Sequence, residues 1–317
     1  MKAVFLDTGT FGENFSFDAL KKLPIEWSFF EATESSEVGE RVEGFDIVVT
    51  NKVVLSKDTL QKGKGLKLIC VTATGYNNID LKAAGELNIT VCNSPAYSTA
   101  SVAQLTITFI LNFATSFMKY SDDAKRKWAG SDHFCLLDHP LFELAGKKLG
   151  IIGYGATGQE VGRLARAFGM EILVAAHTNP SRKIGDSIPL EEVLGRSDFI
   201  TIHTPLTDLT RNLIGADQLK LMKKSAFLIQ MARGGIVNED DLATALREGV
   251  IAGAGLDVLS MEPPKKGHPL LEKDIPNLFL TPHIAWASIE ARKRLITILE
   301  QNILGFLGKK GVNTVRA

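Results

Sequence analysis

The sequence predicts an α/β protein built from two doubly wound parallel sheets, on three observations. Short apolar runs rich in β-branched residues alternate with helical patterns along the whole chain. Those runs lack clean alternation, which suits strands covered by helices on both faces. At 317 residues the chain exceeds one typical domain, so two are expected.

The first sheet is read at "KAVFLD", "DIVVT", "LKLICV" and "ITVCN", with helices between them such as Phe17 to Lys22 and Asp80 to Gly85. The longest apolar stretch follows, from Ser101 to Met118. It is apolar nearly all round, as in a helix buried on several sides. Gln104, Asn112 and several hydroxyls argue against a membrane span, so a central helix packed between domains or subunits fits best.

A second series begins after Gly146, with strands at "KKLGIIG", "EILVAA", "FITIH", "AFLIQM", "GAGLDV" and "NLFLTP". Six such strands suggest a Rossmann-type, dinucleotide-binding sheet. The final helix, Ser288 to Leu307, comes after that sheet and can return to the first unit. The expected division is residues 1–98 plus 288–317 for one domain, with 99–287 inserted into it.

Composition narrows the class. An apolar fraction of 45% with 23% charged residues is ordinary for a soluble protein with a large core. Lys plus Arg equals Asp plus Glu, at 36 each, so no basic face is implied and nucleic acid and anionic membrane are poor partners. Cys70, Cys92 and Cys135 form no metal-type pair, and no metal is expected. They read as buried free thiols in a reducing, cytoplasmic compartment. The N-terminal "MKAVFLD" reads as a strand, and nothing there resembles a signal peptide.

The segment "IIGYGATGQEVGRLARAFGM" places Gly153, Gly155 and Gly158 in the G-x-G-x-x-G spacing, between a strand ending at Ile152 and a helix starting near Thr157. Gly153 permits the tight turn, Gly155 lets a pyrophosphate approach the backbone, and Gly158 lets helix and strand pack closely. The helix start then offers N–H groups and partial positive charge to phosphate.

Ligands of open α/β sheets bind beyond the carboxyl ends of the strands. There, "AFLIQM" leads to Arg233, "GAGLDV" to Glu262 and "NLFLTP" to His283. Taken singly, these read as a helix-capping charge, a solvated loop acid and a turn residue. Together at the cofactor edge they supply what reduction of a 2-keto acid needs. His283 would protonate the carbonyl oxygen, and act as base in the reverse direction. Glu262, if paired with it, would favour the imidazolium. Arg233 would hold the substrate carboxylate and polarise the carbonyl with its fork of donors.

The end of "EILVAA" bears on which dinucleotide is used. NAD-specific sheets carry an acid there for the ribose 2′-hydroxyl. Here Ala175, Ala176 and His177 occupy the region, followed by Thr178, Asn179, Ser181, Arg182 and Lys183. Donors and cations without an acid favour NADP over NAD. Arg182 and Lys183 could equally be solvated loop charges.

With these residues in view, the chain resembles the D-isomer-specific 2-hydroxyacid dehydrogenases over essentially its whole length. The matching segments are "NSPAYSTASVAQLT", the glycine loop, "HTPLTDLTRNLI", "MARGGIVNEDDL", "AGAGLDVLSMEPP" and "LTPHIAWAS". The resemblance implies a Rossmann-type cofactor domain inserted into a flavodoxin-like substrate domain, with the site in the cleft and hinges near Thr99 and Trp286. It implies that Arg233, Glu262 and His283 form the catalytic triad. It puts Asp257 on the nicotinamide carboxamide, and Thr204 and Pro205 along the adenosine. Tyr154, Ala156, Thr157, Met231, Ala232 and Ala285 are expected to complete the cofactor contacts. The loop "TATGYNNID" would grip the substrate carboxylate around Thr74 and Gly75. That loop, "FCLLDHPLFEL" and "HIAWAS" look most like hydroxypyruvate and glyoxylate reductases, which implies a D-glycerate dehydrogenase activity. A D-lactate type dehydrogenase is an alternative. The helix from Thr99 would form much of a homodimer interface.

Two positions depart from the family pattern: Gln230 replaces the usual Asn before the arginine motif, and Gln104 stands where many members have Glu. A rival reading from another class is a non-catalytic, NAD(H)-sensing corepressor-like protein, as some relatives are. A formate dehydrogenase is disfavoured, because that enzyme has Gln where Glu262 stands.

Overall fold

The computed structural model describes residues 1–13, 15–179, 181 and 185–316. Its strands in chain order are β1 (Lys2–Phe5), β2 (Glu26–Phe29), β3 (Ile47–Thr50), β4 (Leu68–Val71), β5 (Thr90–Cys92), β6 (Lys148–Ile152), β7 (Glu171–Val174), β8 (Phe199–Ile202), β9 (Phe227–Gln230), β10 (Gly253–Leu256), β11 (Leu278–Leu280) and β12 (Thr314–Val315). They form two six-stranded sheets, ordered β12-β5-β4-β3-β1-β2 and β11-β10-β9-β8-β6-β7. All pairings are parallel except that of β12 with β5.

The chain divides into two compact units, Met1–Ser98 with Ala287–Ala317, and Thr99–Trp286. The second crossing falls one residue earlier than the 288 read from the sequence. In the first unit, one face of the sheet buries Val4, Leu6, Val48, Ile69, Val71 and Val91 in a continuous apolar layer. In the second, Ile200, Ile202, Leu228 and Leu256 pack to one side, and Leu149, Ile151, Phe199 and Ile229 to the other. Burial on both faces explains why these strands read as apolar runs without alternation.

Both sheets reverse their winding once, and such switch points are where open α/β sheets bind ligands. In the first sheet the reversal lies between β1 and β3. Asp7 follows β1, and its carboxylate accepts from the backbone N–H groups of Asn51 (2.8 Å), Lys52 (2.6 Å) and Val53 (3.3 Å), which follow β3. Asp7 is only 5% exposed, and burial pushes its carboxyl above the ordinary value despite these bonds. In the second sheet the reversal lies between β6 and β8.

Three local expectations need correction. The first sheet contains two strands beyond the four that the sequence predicts, Glu26–Phe29 and Thr314–Val315. "EWSF" is an edge strand whose residues are half-exposed, so it lacks a buried strand's apolar run. The apolar stretch from Ser101 to Met118 is not one helix. It breaks at Ser116, whose φ is +49°, into Thr99–Thr115 and Phe117–Arg126. Among the described residues no single helix is long and apolar enough to cross a membrane; the two halves pass that test only as a pair bent by 55°. The first half buries Ala103, Ile107, Phe109, Ile110 and Phe113 within the second unit's core.

Candidate active site

Parallel pairing brings the carboxyl ends of β6 to β11 to one edge, and each contributes a turn to the candidate site. The turn after β6 is the glycine loop. Gly153 has φ +92°, and an added Cβ would lie 2.6 Å from His203 C and Thr204 N. Only glycine lets this turn press against the chain leaving β8. A Cβ on Gly158 would lie 2.2 Å from Gly153 O, which keeps the helix Ala156–Ala167 against the loop. A Cβ on Gly155, the N-cap residue of that helix, would meet nothing within 4 Å. The helix therefore starts at Ala156, one residue before the sequence expectation, and its first N–H groups sit beside a glycine with open space, a cradle that fits a dinucleotide pyrophosphate. Tyr154 O accepts from Gln159 Nε2 at 3.1 Å, bracing the loop from within.

At the end of β7, Ala175 is buried and no acid follows. His177 Nδ1 accepts from Asn179 N at 2.9 Å, and Asn179 Oδ1 accepts from the Ser181 hydroxyl at 2.6 Å, so Thr178 sits in a self-bonded polar turn. Arg182 and Lys183, named for the 2′-phosphate, lie outside the described residues. After β8, Thr204 and Pro205 begin a loop held by Thr210, whose hydroxyl donates to Pro205 O at 2.7 Å. His203 pairs through Nε2 with Thr201 Oγ1 at 2.7 Å, and burial pushes its imidazole down to about 3. It is therefore neutral near pH 7 and unsuited to donate a proton.

The turn after β9 carries Met231, which is buried, then Ala232 and Arg233. Gln230 is 1% exposed and shapes this turn with both ends of its amide. Oε1 accepts from Ala232 N at 3.0 Å, and Nε2 donates to Arg233 O at 3.0 Å. The family's shorter Asn is thus replaced by a side chain bonded at both the oxygen and the nitrogen of its amide. Arg233 NH1 donates to Ala232 O at 2.7 Å. At Gly234 an added Cβ would lie 2.0 Å from Leu259 O, so this turn packs backbone to backbone on the turn after β10. That contact brings the Arg233 and Glu262 loops together.

Asp257 and Glu262 organise His283 from two sides. Asp257 is 2% exposed, and its carboxylate accepts from the Thr281 hydroxyl (2.6 Å), Ile284 N (2.8 Å) and Ala285 N (2.9 Å). Burial pushes its carboxyl up, while these bonds and nearby His283 pull it down. Its oxygens are committed to the loop of His283, an anchoring role that the sequence did not reveal. Ala285, expected against the cofactor, is buried, and its carbonyl accepts from the Ser101 hydroxyl. His283 adopts φ +54°, a left-handed conformation costing about 1–3 kcal/mol in a non-glycine residue. Its N–H donates to Asp257 O at 2.8 Å and Thr281 O at 3.0 Å. With the bonds to Ile284 and Ala285, at about 1 kcal/mol each, the loop offsets that strain. The result aims Nδ1 at Glu262 Oε2, 2.5 Å away, while Glu262 Oε1 accepts from Leu259 N at 2.9 Å. Glu262 thus engages the ring at Nδ1, on the side opposite Nε2.

The first unit holds the remaining expected residues. Thr74 and Gly75 follow β4, with Thr74 exposed. The Thr74 hydroxyl donates to Ser94 O at 2.9 Å, and its carbonyl accepts from Asn93 Nδ2 at 2.8 Å. The described residues contain no group of three or more His, Cys, Asp or Glu able to hold a metal.

This edge combines a glycine cradle fit for a dinucleotide with turns that carry an imidazole, a carboxylate and a guanidinium. Residues 107–285 match the family described as D-isomer specific 2-hydroxyacid dehydrogenase, NAD binding domain. The chain is 42% identical to glycerate dehydrogenase of Methylorubrum extorquens, covering 100% of this chain and 99% of that one. It is 39% identical to hydroxypyruvate reductase of Blautia hydrogenotrophica, covering 89% and 88%. Among solved structures, an acyclic imino acid reductase in complex with NADPH and D-Arg superposes with a TM-score of 0.88 at 28% identity, over 99% of this chain and 100% of that one. The chain belongs to the D-isomer specific 2-hydroxyacid dehydrogenase family and is an NAD(P)-dependent enzyme of that family.

Proposed function

We propose that this enzyme reduces hydroxypyruvate or glyoxylate to the D-2-hydroxy acid, as a hydroxypyruvate/glyoxylate reductase or D-glycerate dehydrogenase. The observation that carries the reading is the 2.5 Å bond between His283 and Glu262 on the same strand edge as the glycine loop. The named relatives at about 40% identity support the substrate class. The bound dinucleotide supplies a hydride to the carbonyl carbon. His283 donates the proton to the carbonyl oxygen, with Glu262 holding the ring through Nδ1. Arg233 holds the substrate carboxylate and draws charge from the carbonyl. Thr74 and Gly75 of the first unit are the expected backbone donors for a carboxylate in this reading. The unit Met1–Ser98 with Ala287–Ala317 is accordingly the substrate domain.

NADPH is the preferred donor in this reading, on the absence of an acid after β7. A homodimer is part of it as well. The helix from Thr99 would form much of its interface, continued by the segment after Ser116, where Phe117 (67%), Phe134 (91%) and Leu137 (75%) are exposed. The deciding experiment is a substrate panel of hydroxypyruvate, glyoxylate, pyruvate and longer 2-keto acids, followed by NAD(P)H absorbance. Fastest turnover on pyruvate or a longer acid overturns the substrate assignment, and dinucleotide binding without turnover of any acid overturns the enzymatic reading.

A further inference from the structure

The loop that presents Glu262 has little core beneath it. Val258 is its last buried residue, and Ser260, Met261, Glu262 and Pro263 are all exposed. A carboxylate in such a loop would sample many positions, and a hydrogen bond to a histidine on another strand needs one. Three bonds to the side chain of Glu239 restrict this freedom. Glu239 Oε1 accepts from Ser260 N at 2.6 Å, and Oε2 accepts from the Ser260 hydroxyl at 2.6 Å and from His268 Nε2 at 2.9 Å.

Glu239 is the first residue of the helix Glu239–Arg247, after the N-cap Asn238. An acid there ordinarily reads as a solvated partner of the helix dipole. Yet its side chain retains only 9% exposure, and that of His268 10%. A buried carboxylate is costly unless its lone pairs meet donors, and here three donors meet it. The histidine is set for this role by its other nitrogen. His268 Nδ1 accepts from Leu270 N at 3.3 Å, so Nε2 carries the hydrogen that Glu239 receives.

Connectivity gives the clamp its place in the site. The segment that leaves β9 carries Arg233 and then, six residues on, Glu239. The segment that leaves β10 carries Ser260 and Glu262. Glu239 ties the second segment to the first, beside the Gly234–Leu259 backbone contact. We propose that Glu239 is a positioning residue for the reaction: by gripping Ser260 through both N–H and hydroxyl, with His268 fixing its second oxygen, it sets the loop that brings Glu262 to His283. The inference rests on the reading of Glu262 as the partner of a proton-donating His283.

The test compares Glu239→Gln, Ser260→Ala, Glu262→Gln and the double variant Glu239→Gln/Glu262→Gln, assayed with NADPH and hydroxypyruvate across pH. Displacing a reacting group by about 1 Å costs up to about 100-fold, so Glu239→Gln should lower kcat by about 10-fold to 100-fold, with the NADPH Kd unchanged. The alkaline fall of its reduction profile should move to lower pH, in the same direction as in Glu262→Gln. Ser260→Ala, an exposed site, should show the same displacement more weakly. The double variant should lose little beyond Glu262→Gln, because both changes act on one pair. A moved limb in Glu262→Gln with unmoved limbs in both Glu239→Gln and Ser260→Ala overturns the positioning role alone. Additive losses in the double variant do the same. An unmoved limb in Glu262→Gln overturns the triad reading, and the positioning role with it. If Glu239→Gln does not fold, Ser260→Ala decides by itself.

Discussion

His283 and Glu262, supplied by neighbouring strands and 21 residues apart, meet through a 2.5 Å bond between Nδ1 and a carboxylate oxygen. Bonds with one charged partner contribute about 1.5–3 kcal/mol. The bond fixes the ring's orientation and leaves Nε2 on the side away from the carboxylate.

His283→Ala should lower keto-acid reduction by about 10²–10⁴-fold, the range for a positioned acid, while the NADPH Kd stays near that of the parent. His203→Ala provides the contrast. Its imidazole is neutral and bonded to Thr201. A folded His283→Ala variant retaining most of its activity would rule out the assignment.

Arg233→Lys preserves the charge and removes the planar fork. Turnover should fall and the KM for hydroxypyruvate rise, because one ammonium cannot hold a carboxylate and polarise a carbonyl in the same plane. Parent-like steady-state constants in the lysine variant would limit Arg233 to a general electrostatic role.

Asp7 offers a stability test. Burial raises its folded-state carboxyl above the ordinary carboxylate range. A raised carboxyl contributes stability that is fully present below the unfolded value and is lost as pH rises through the folded one. Asp7→Asn has no such titration. Its deficit against the parent in urea unfolding should therefore be larger near pH 4 than at pH 7. A deficit that grows toward neutral pH would mean that the three N–H bonds outweigh burial.

Cofactor choice can be read from kcat/KM for NADPH and NADH with the same keto acid. NADPH should be favoured, since no acid after β7 repels a 2′-phosphate. Introducing one there, as Ala176→Asp, should reverse the order toward NADH. A clear preference of the parent for NADH would remove the reading.

Much of this was legible in the sequence because it depends on local order. The apolar runs of β3, β4, β6 and β8 announce strands buried on both faces, and the glycine spacing announces the turn after β6. Arg233, Glu262 and His283 could be grouped because each lies in the segment that leaves a strand, and parallel strands share an edge. Residues whose meaning depends on distant partners stayed hidden. Glu239 looks like any first-turn acid until Ser260 and His268 meet it. Asp257 reads as the end of "GAGLD", and nothing local tells that its oxygens hold the loop of His283. Ser116 interrupts an apolar stretch with a left-handed residue that composition does not mark. Strand β12 has only two residues, too few for any periodicity.

The Asp7 carboxylate has a consequence for valency. Two sheets of the same winding could each have offered backbone N–H groups to a phosphate at the point where the winding reverses. In the first sheet the chain's own acid already takes those of Asn51, Lys52 and Val53. In the second, the space beside Gly155 is left to an outside anion. Of two similar switch points, one is thus filled by a covalently tethered negative charge, and the other leaves room for a charge that arrives from outside.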